Sequence, residues 1–377
     1  MNNKPPLILF IDDEPEEVRP IARALADTGN VRADVTHPDD IDDEMLGEAS
    51  VILIDLSLVK WAGPALAKLK KPAVQGLGLI AQLQEYVQQE FPKRAIAFAV
   101  NSGKVPLIEK DLAGGDHVLA RVHNVEWVFR KEKTYDANQL VELARAVRLL
   151  PDEWPGDGVK TRDAVTKWLG LDVEADRSER AWVDIEDCHP PFHGFSVHTR
   201  GIAFLRWMLH RILPYPTALT DSAQLAARLR VEPGSLRAAL ENSERLGTWL
   251  RPAAYCGQLA GFLGPHWWKA GVNALLFELS AGRSGDIDGV QRKVLELGEG
   301  ALVAVSAAQP VVVIDRDLKP LATLCPIESA VRVQPDDWPP FASPAWMRIE
   351  DVRDDPSLAS LVLEDDRDRV GPAPEAK

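Results

Sequence analysis

The first 150 residues predict a doubly wound α/β sheet of five parallel strands. Three observations carry this. Apolar runs of strand length recur along the segment, amphipathic stretches of helical length separate them, and two of the runs stop abruptly at aspartate. A continuous apolar run without alternation is the pattern of a strand whose sheet is covered by helices on both faces.

Taken in order, Leu7-Ile8-Leu9-Phe10-Ile11 is the first such run, and it ends in Asp12-Asp13-Glu14-Pro15. Val18 to Ala26 then carries apolar residues at helical spacing, behind acids that suit the positive amino end of a helix dipole. A short second strand is expected near Val31 to Val35. Val51-Ile52-Leu53-Ile54 repeats the first pattern and stops at Asp55. Ala95 to Val100 and Trp127 to Phe129 supply two more runs, separated by helical stretches such as Leu79 to Gln89, and Leu140 to Leu150 closes the series as an amphipathic helix. In such sheets the site lies in the crevice beyond the carboxyl ends of the strands.

The polar residues at those strand ends form a set. Asp12, Asp13 and Asp55 converge at one edge, where three carboxylates repel one another unless a cation joins them. Oxygen-rich sites of this kind suit Mg²⁺, which takes few protein ligands and keeps room for phosphate oxygens. The fourth run ends in Asn101-Ser102-Gly103, which puts a hydroxyl on a turn, and Lys131 follows the fifth. A hydroxyl and an ammonium facing a carboxylate and a divalent cation make a cradle for a transferring phosphoryl group.

This constellation resembles the receiver domain of two-component response regulators over about residues 5 to 150, a flavodoxin-like fold. The resemblance implies Asp12 and Asp13 as the metal-holding pair for Mg²⁺, Asp55 as phosphoacceptor, and Ser102 and Lys131 as the groups that contact the phosphoryl. It also implies a histidine kinase as phosphodonor, with self-catalysed aspartyl phosphorylation as the only chemistry. The sequence departs from the family pattern in three places. Glu132 follows the lysine where a proline is usual, with Lys133 nearby as a substitute. Val128 stands where an aromatic switch residue is usual, flanked by Trp127 and Phe129. The segment Leu56 to Gln75 is longer than the family's connection and carries Lys60, Lys68, Lys70 and Lys71. A basic insertion of this kind reads as a solvated helix or a docking loop. A pseudo-receiver scaffold, with the same fold and no phosphorylation, is the alternative for this half.

At 377 residues the chain fits two or three domains. The turn-rich stretch 151–159 reads as a linker, 160–300 as a mostly helical domain, 301–366 as a small α+β portion, and 367–377 as a disordered tail. A net charge of -14 makes a downstream protein the default partner, since DNA binding would require a local basic patch. The three cysteines are scattered with no CxxC spacing, and no apolar stretch approaches membrane-spanning length. Met1 to Pro6 is followed by only five apolar residues, so no signal peptide is expected and a cytoplasmic setting follows.

Two features beyond residue 160 bear on function. Asp221 to Leu246 resembles a helix-turn-helix, with Ser222 to Leu229 as its first helix and Ser235 as N-cap of a second that would expose Arg237 and Arg245 to a major groove. That motif carries the reading of a DNA-binding transcriptional regulator. Asp221, Glu232, Glu241 and Glu244 leave it close to neutral. Cys188-His189 with His193, His198 and His210 suggests zinc or an enzymatic effector, although no second ligand pair stands at finger spacing and structural histidines fit as well. Phe262, His266, Trp267 and Trp268 have the size of an interface anchor or a core. Val311 to Ile314 reads as a buried strand, and Leu358 to Leu363 as another. The leading reading is an atypical response regulator, with a homodimer as one assembly open to it, whose carboxy-terminal region signals through protein contacts.

Overall fold

The computed structural model describes residues 4–61, 76–103, 115–131, 137–151, 158–171, 175–191, 200–283 and 285–371. The strands β1 (Leu7–Ile11), β2 (Arg32–Thr36), β3 (Ala49–Asp55), β4 (Ala97–Ser102) and β5 (Trp127–Arg130) form one all-parallel sheet in the order β2-β1-β3-β4-β5. Helices α1 (Pro15–Asp27), α2 (Asp43–Glu48), α3 (Gly76–Glu90), α4 (Asp116–Val122) and α5 (Ala137–Arg148) accompany it. This is the flavodoxin-like receiver fold.

Strand periodicity explains why the runs do not alternate. Ile8, Phe10, Val51, Leu53, Ala97 and Ala99 face one side, packed with Val18, Ala22 and Leu25 of α1 and with Leu140, Leu143 and Val147 of α5. Their neighbours Leu9, Ile11, Ile52, Ile54, Phe98 and Val100 face the other, against Leu46 of α2, Leu79 and Leu83 of α3 and Leu119 of α4. Both faces are dry, so every strand position must be apolar until the chain leaves the sheet. Proline at the first position of α1, with Glu16 and Glu17 in its first turn, starts that helix directly after the acids. Asp42 caps α2 through a hydrogen bond from Met45 N at 2.8 Å.

Beyond the sheet, α6 (Gly158–Leu169), α7 (Ala175–Asp187) and α8 (Arg200–Trp207), the last continuing into a π-helical turn Met208–Ile212, add Trp168, Trp182, Phe204, Leu205 and Met208 to the cluster on the α1 and α5 face. One apolar cluster thus runs from the sheet into the helices that follow it. Phe262, His266, Trp267 and Trp268 are all buried, which makes them core. Phe262 meets Trp127 edge-on at 4.9 Å between centroids.

The helix-turn-helix expectation is corrected in two respects. Helices α9 (Ser222–Leu229), α10 (Pro233–Asn242) and α11 (Glu244–Leu250) are separate elements. Ser235 is not the N-cap of α10, which begins two residues earlier because proline suits the first helical position; the Ser235 hydroxyl donates to Glu232 O and accepts from Val303 N. Arg245 lies on α11, after the Ser243 cap, and so does not share the helix that exposes Arg237.

Helices α12 (Lys269–Leu279) and α13 (Ile287–Leu297) complete a second apolar cluster around Leu225, Leu236 and Leu246. The chain ends in a four-stranded sheet of β8 (Pro310–Ile314), β9 (Pro320–Pro326), β10 (Ala330–Val333) and β11 (Ala345–Arg348), after a two-stranded one of β6 (Leu219–Thr220) and β7 (Trp267–Trp268). Leu358 to Leu363 is not a strand. Asp355 caps a helical turn at Pro356–Ala359, and Val362 reaches β10 only through a single bridge to Val333. Arg367–Val370 form one more helical turn. No helix among the described residues is long and apolar enough to cross a membrane.

Candidate functional site

Three strand ends build the site. β1 and β3 are neighbours in register, Ile11 opposite Ile54, so the residues that follow them emerge side by side. Asp12, Asp13 and Asp55 each place a carboxylate oxygen within 4.8 Å of the others, the one such metal-capable group among the described residues. Lys131, just past β5, points back over the same edge. Its ammonium donates to Asp55 Oδ2 at 2.9 Å and to Asp12 Oδ2 at 3.2 Å. These residues, with Glu14, Glu17, Ser57, Lys60 and Gly103, line an open pocket of about 400 Å³.

The acids are held by backbone as well. Asp12 Oδ1 accepts from Glu14 N at 2.8 Å, Asp55 Oδ1 from Ser57 N at 3.2 Å, and Asp13 Oδ2 from Lys60 N at 2.5 Å. Each bond fixes a rotamer and leaves the remaining carboxylate oxygens aimed into the pocket. Lys60 also pairs with Glu14. Of the four lysines in the long segment after Asp55 it is the described one; Lys68, Lys70 and Lys71 lie outside the described residues.

Electrostatics set the resting state. Burial pushes the Asp12 carboxyl above its ordinary value of 3.8, an effect that the Glu14 amide and the Lys131 ammonium oppose without cancelling. For Lys131 burial pulls the ammonium down, but its hydrogen bond and attraction to Asp55, then to Asp12, outweigh that and hold it above its ordinary value. Lys131 is therefore a fixed cation. One lysine cannot neutralise three acids, and a donor set made of carboxylates alone fits a hard divalent cation such as Mg²⁺.

Ser102 occupies the last position of β4, paired in register with Arg130, so the strand extends through it and the expected turn begins later. Its side chain lies outside the described residues, as do Glu132 and Lys133. Asn101, register partner of Asp55, is buried with its Oδ1 unpartnered among the described residues. Val128 is buried in the α3 and α4 face.

The other sequence candidates stand apart from this site. Arg237 and Arg245 are exposed on α10 and α11. Cys188 is buried, its thiol donating to Asp184 O and pushed up to about 11 by that burial. His210 bonds Glu126 O at 2.9 Å, and His193 and His198 lie outside the described residues. The carboxylate Glu126, buried beside β5 and bonded to Arg206, was missed by sequence reading, since nothing nearby in the chain marks it.

No family model and no curated protein matches the chain. Among solved structures it is similar to the RcsB response regulator of Salmonella typhimurium, at 15% identity over 53% of this chain and 82% of that one, with a TM-score of 0.26. A complex of the response regulator RcsB with DNA matches at 16% identity over 55% of this chain and 92% of that one, with a TM-score of 0.26. The response regulator ChrA of a heme-sensing two-component system matches at 16% identity over 69% of this chain and 95% of that one, with a TM-score of 0.24. The strand order of the sheet defines the fold.

Proposed function

We propose that the chain is a response-regulator-like signalling protein that accepts a phosphoryl group on Asp55 from a histidine kinase and passes that state, through its carboxy-terminal region, to another protein. The observation that carries this is the Lys131 ammonium bridging Asp55 and Asp12 at the carboxyl ends of three parallel strands. That arrangement presents one carboxylate with a counter-cation and a second pair of acids beside it, and this pattern of charge supports the reading of a phosphoryl-accepting site.

In this reading Asp12, Asp13 and Asp55 hold Mg²⁺. The ion supplies charge neutralisation for the phosphoryl oxygens when bound. An Asp55 carboxylate oxygen attacks phosphorus, a new P–O bond forms, and the P–N bond to the donor imidazole breaks with its electron pair leaving on nitrogen. Lys131 stays protonated, exchanging its hydrogen bond with the carboxylate for one with the phosphoryl group. Ser102 is the residue assigned to contact that group.

The test is incubation of the full chain with acetyl phosphate and Mg²⁺ followed by intact-mass measurement. A single phosphoryl adduct is expected without any kinase, because the catalytic groups belong to the acceptor. Asp55→Asn removes it, since an amide cannot form the acyl phosphate. Wild type that gains no phosphate while its melting temperature still responds to Mg²⁺ is a pseudo-receiver, and the proposal fails.

A further inference from the structure

We infer that the chain binds a small aromatic carboxylate in the cleft between β6, α9 and the carboxy-terminal sheet. The cleft has a volume of about 270 Å³. That lies just under the roughly 300–1,000 Å³ of drug-sized pockets, so one ring with a short head fits and a nucleotide does not.

One wall is apolar and rigid. Trp346 stands on β11 opposite Val313 of β8. Trp338 is fixed by its indole N–H, which donates to Ser343 O at 2.9 Å, and by edge-on contact with Tyr215 at 4.8 Å between centroids. Pro214, Pro216, Pro310, Pro320 and Pro344 add surfaces whose backbone φ is locked. Flat indole and pyrrolidine surfaces suit an aromatic ring, and side chains already held in place lose little entropy when one binds.

The other wall carries polar groups that the fold leaves unused. Thr220 ends β6 opposite Trp267 and is only 2% exposed, yet its hydroxyl has no hydrogen-bond partner among the described residues. A hydroxyl in so buried a residue is normally satisfied, because an unpaired one costs stability. The Gln224 side-chain amide, one turn into α9, is also unbonded among the described residues. So is the ammonium of Lys269, a residue brought beside this wall by the bond from its backbone N to Ala218 O at 2.9 Å. Hydroxyl, amide and ammonium can all donate. Asp221, the one carboxylate of the lining, caps α9 by accepting from Gln224 N at 2.8 Å, and Arg228 is turned to Asn273 Oδ1 at 2.6 Å. The charge of Lys269 reaches Asp184, but the two form no ion pair. Three free donors, one of them cationic, complement a carboxylate, which accepts charge-assisted hydrogen bonds from each.

Isothermal titration of the full chain with benzoate, benzamide and benzamidine tests this, since the three share a ring and differ in the charge of the head. Benzoate is expected to bind most tightly and benzamidine least. Lys269→Met should weaken benzoate by about tenfold, the loss expected for a charged hydrogen-bond partner, and leave benzamide unchanged. Thr220→Val should weaken benzoate by about fivefold without lowering the melting temperature, because the hydroxyl it removes bonds nothing in the fold. That second variant keeps the test open if loss of the lysine disturbs folding. No binding of any of the three at millimolar concentration, equal affinity for the three heads, tightest binding of benzamidine, or benzoate affinity unchanged in the folded variants overturns the inference.

Discussion

Arg206 Nε donates to Glu126 Oε1 at 2.5 Å, joining residues 80 positions apart. Glu126 is fully buried at the start of β5, its other oxygen accepting from Phe98 N, while Arg206 projects from α8 and also bonds Asn124 O at 2.8 Å. Burial pushes the Glu126 carboxyl up, and the Arg206 cation is the chief influence against it. The edge strand beside Lys131 is thereby fastened to the helices beyond residue 200.

Arg206→Ala should destabilise the chain by about 3–5 kcal/mol, because it leaves a buried carboxylate without its counter-charge. Glu126→Gln should cost less, since it removes the charge along with the need for a partner. Urea unfolding of both single variants and the double variant checks this; additive effects would mean that the pair is not coupled.

Acidification should weaken the same seam. Burial first, then nearby cations, lower His117 to about 3 and His210 to about 4, from an ordinary 6.5. A histidine depressed in the folded state binds its proton more readily when unfolded, so its stabilisation is complete above 6.5 and is lost as pH falls toward the folded value. Each contributes roughly 1.4 kcal/mol of loss per pH unit across that window. His210→Gln should flatten the pH dependence measured between pH 7 and 5; an unchanged slope would exclude His210 as its source.

Gly76→Ala is expected to destabilise by about 1–3 kcal/mol, the range for overpacking. A Cβ there would lie 2.0 Å from Asp55 O, while Gly76 N donates to Leu56 O at 2.9 Å. The amino end of α3 therefore presses on the backbone that carries the acceptor, and acetyl phosphate labelling should slow in the same variant. Normal melting and labelling would show that the backbone yields freely.

Much of this was legible in the sequence where one local signal had one meaning. Uninterrupted runs such as Val51 to Ile54, stopped by Asp55, mark buried parallel strands, and the acids and Lys131 fall at strand ends for that reason. The signal failed where two structures share it. Leu358 to Leu363 is apolar enough for a strand, but Asp355-Pro356 begins a helical turn first. Ser235 and Pro233 both mark helix starts, and the proline prevailed. Tertiary pairings such as Glu126 with Arg206 leave no local pattern at all.

The acid cluster should be less stable than its own neutral variant. With Asp12 raised by burial above 3.8, the folded state holds its proton more tightly than the unfolded chain; the stabilisation this gives is present below 3.8 and lost as pH rises through the folded value. At neutral pH the ionised, buried Asp12 therefore costs stability. Asp12→Asn keeps an acceptor for Glu14 N and removes one of the three negative charges, so it should raise stability by about 1 kcal/mol in EDTA. Lys131→Met should act in the opposite direction, because it removes the cation that both Asp55 and Asp12 contact. Added Mg²⁺ should raise the melting temperature of wild type, as any ligand of the native state does, and raise that of Asp12→Asn less. Melting curves of the three proteins with and without the ion decide the matter. An Asp12→Asn variant less stable than wild type in EDTA would mean that the Lys131 pair outweighs the burial of the charge.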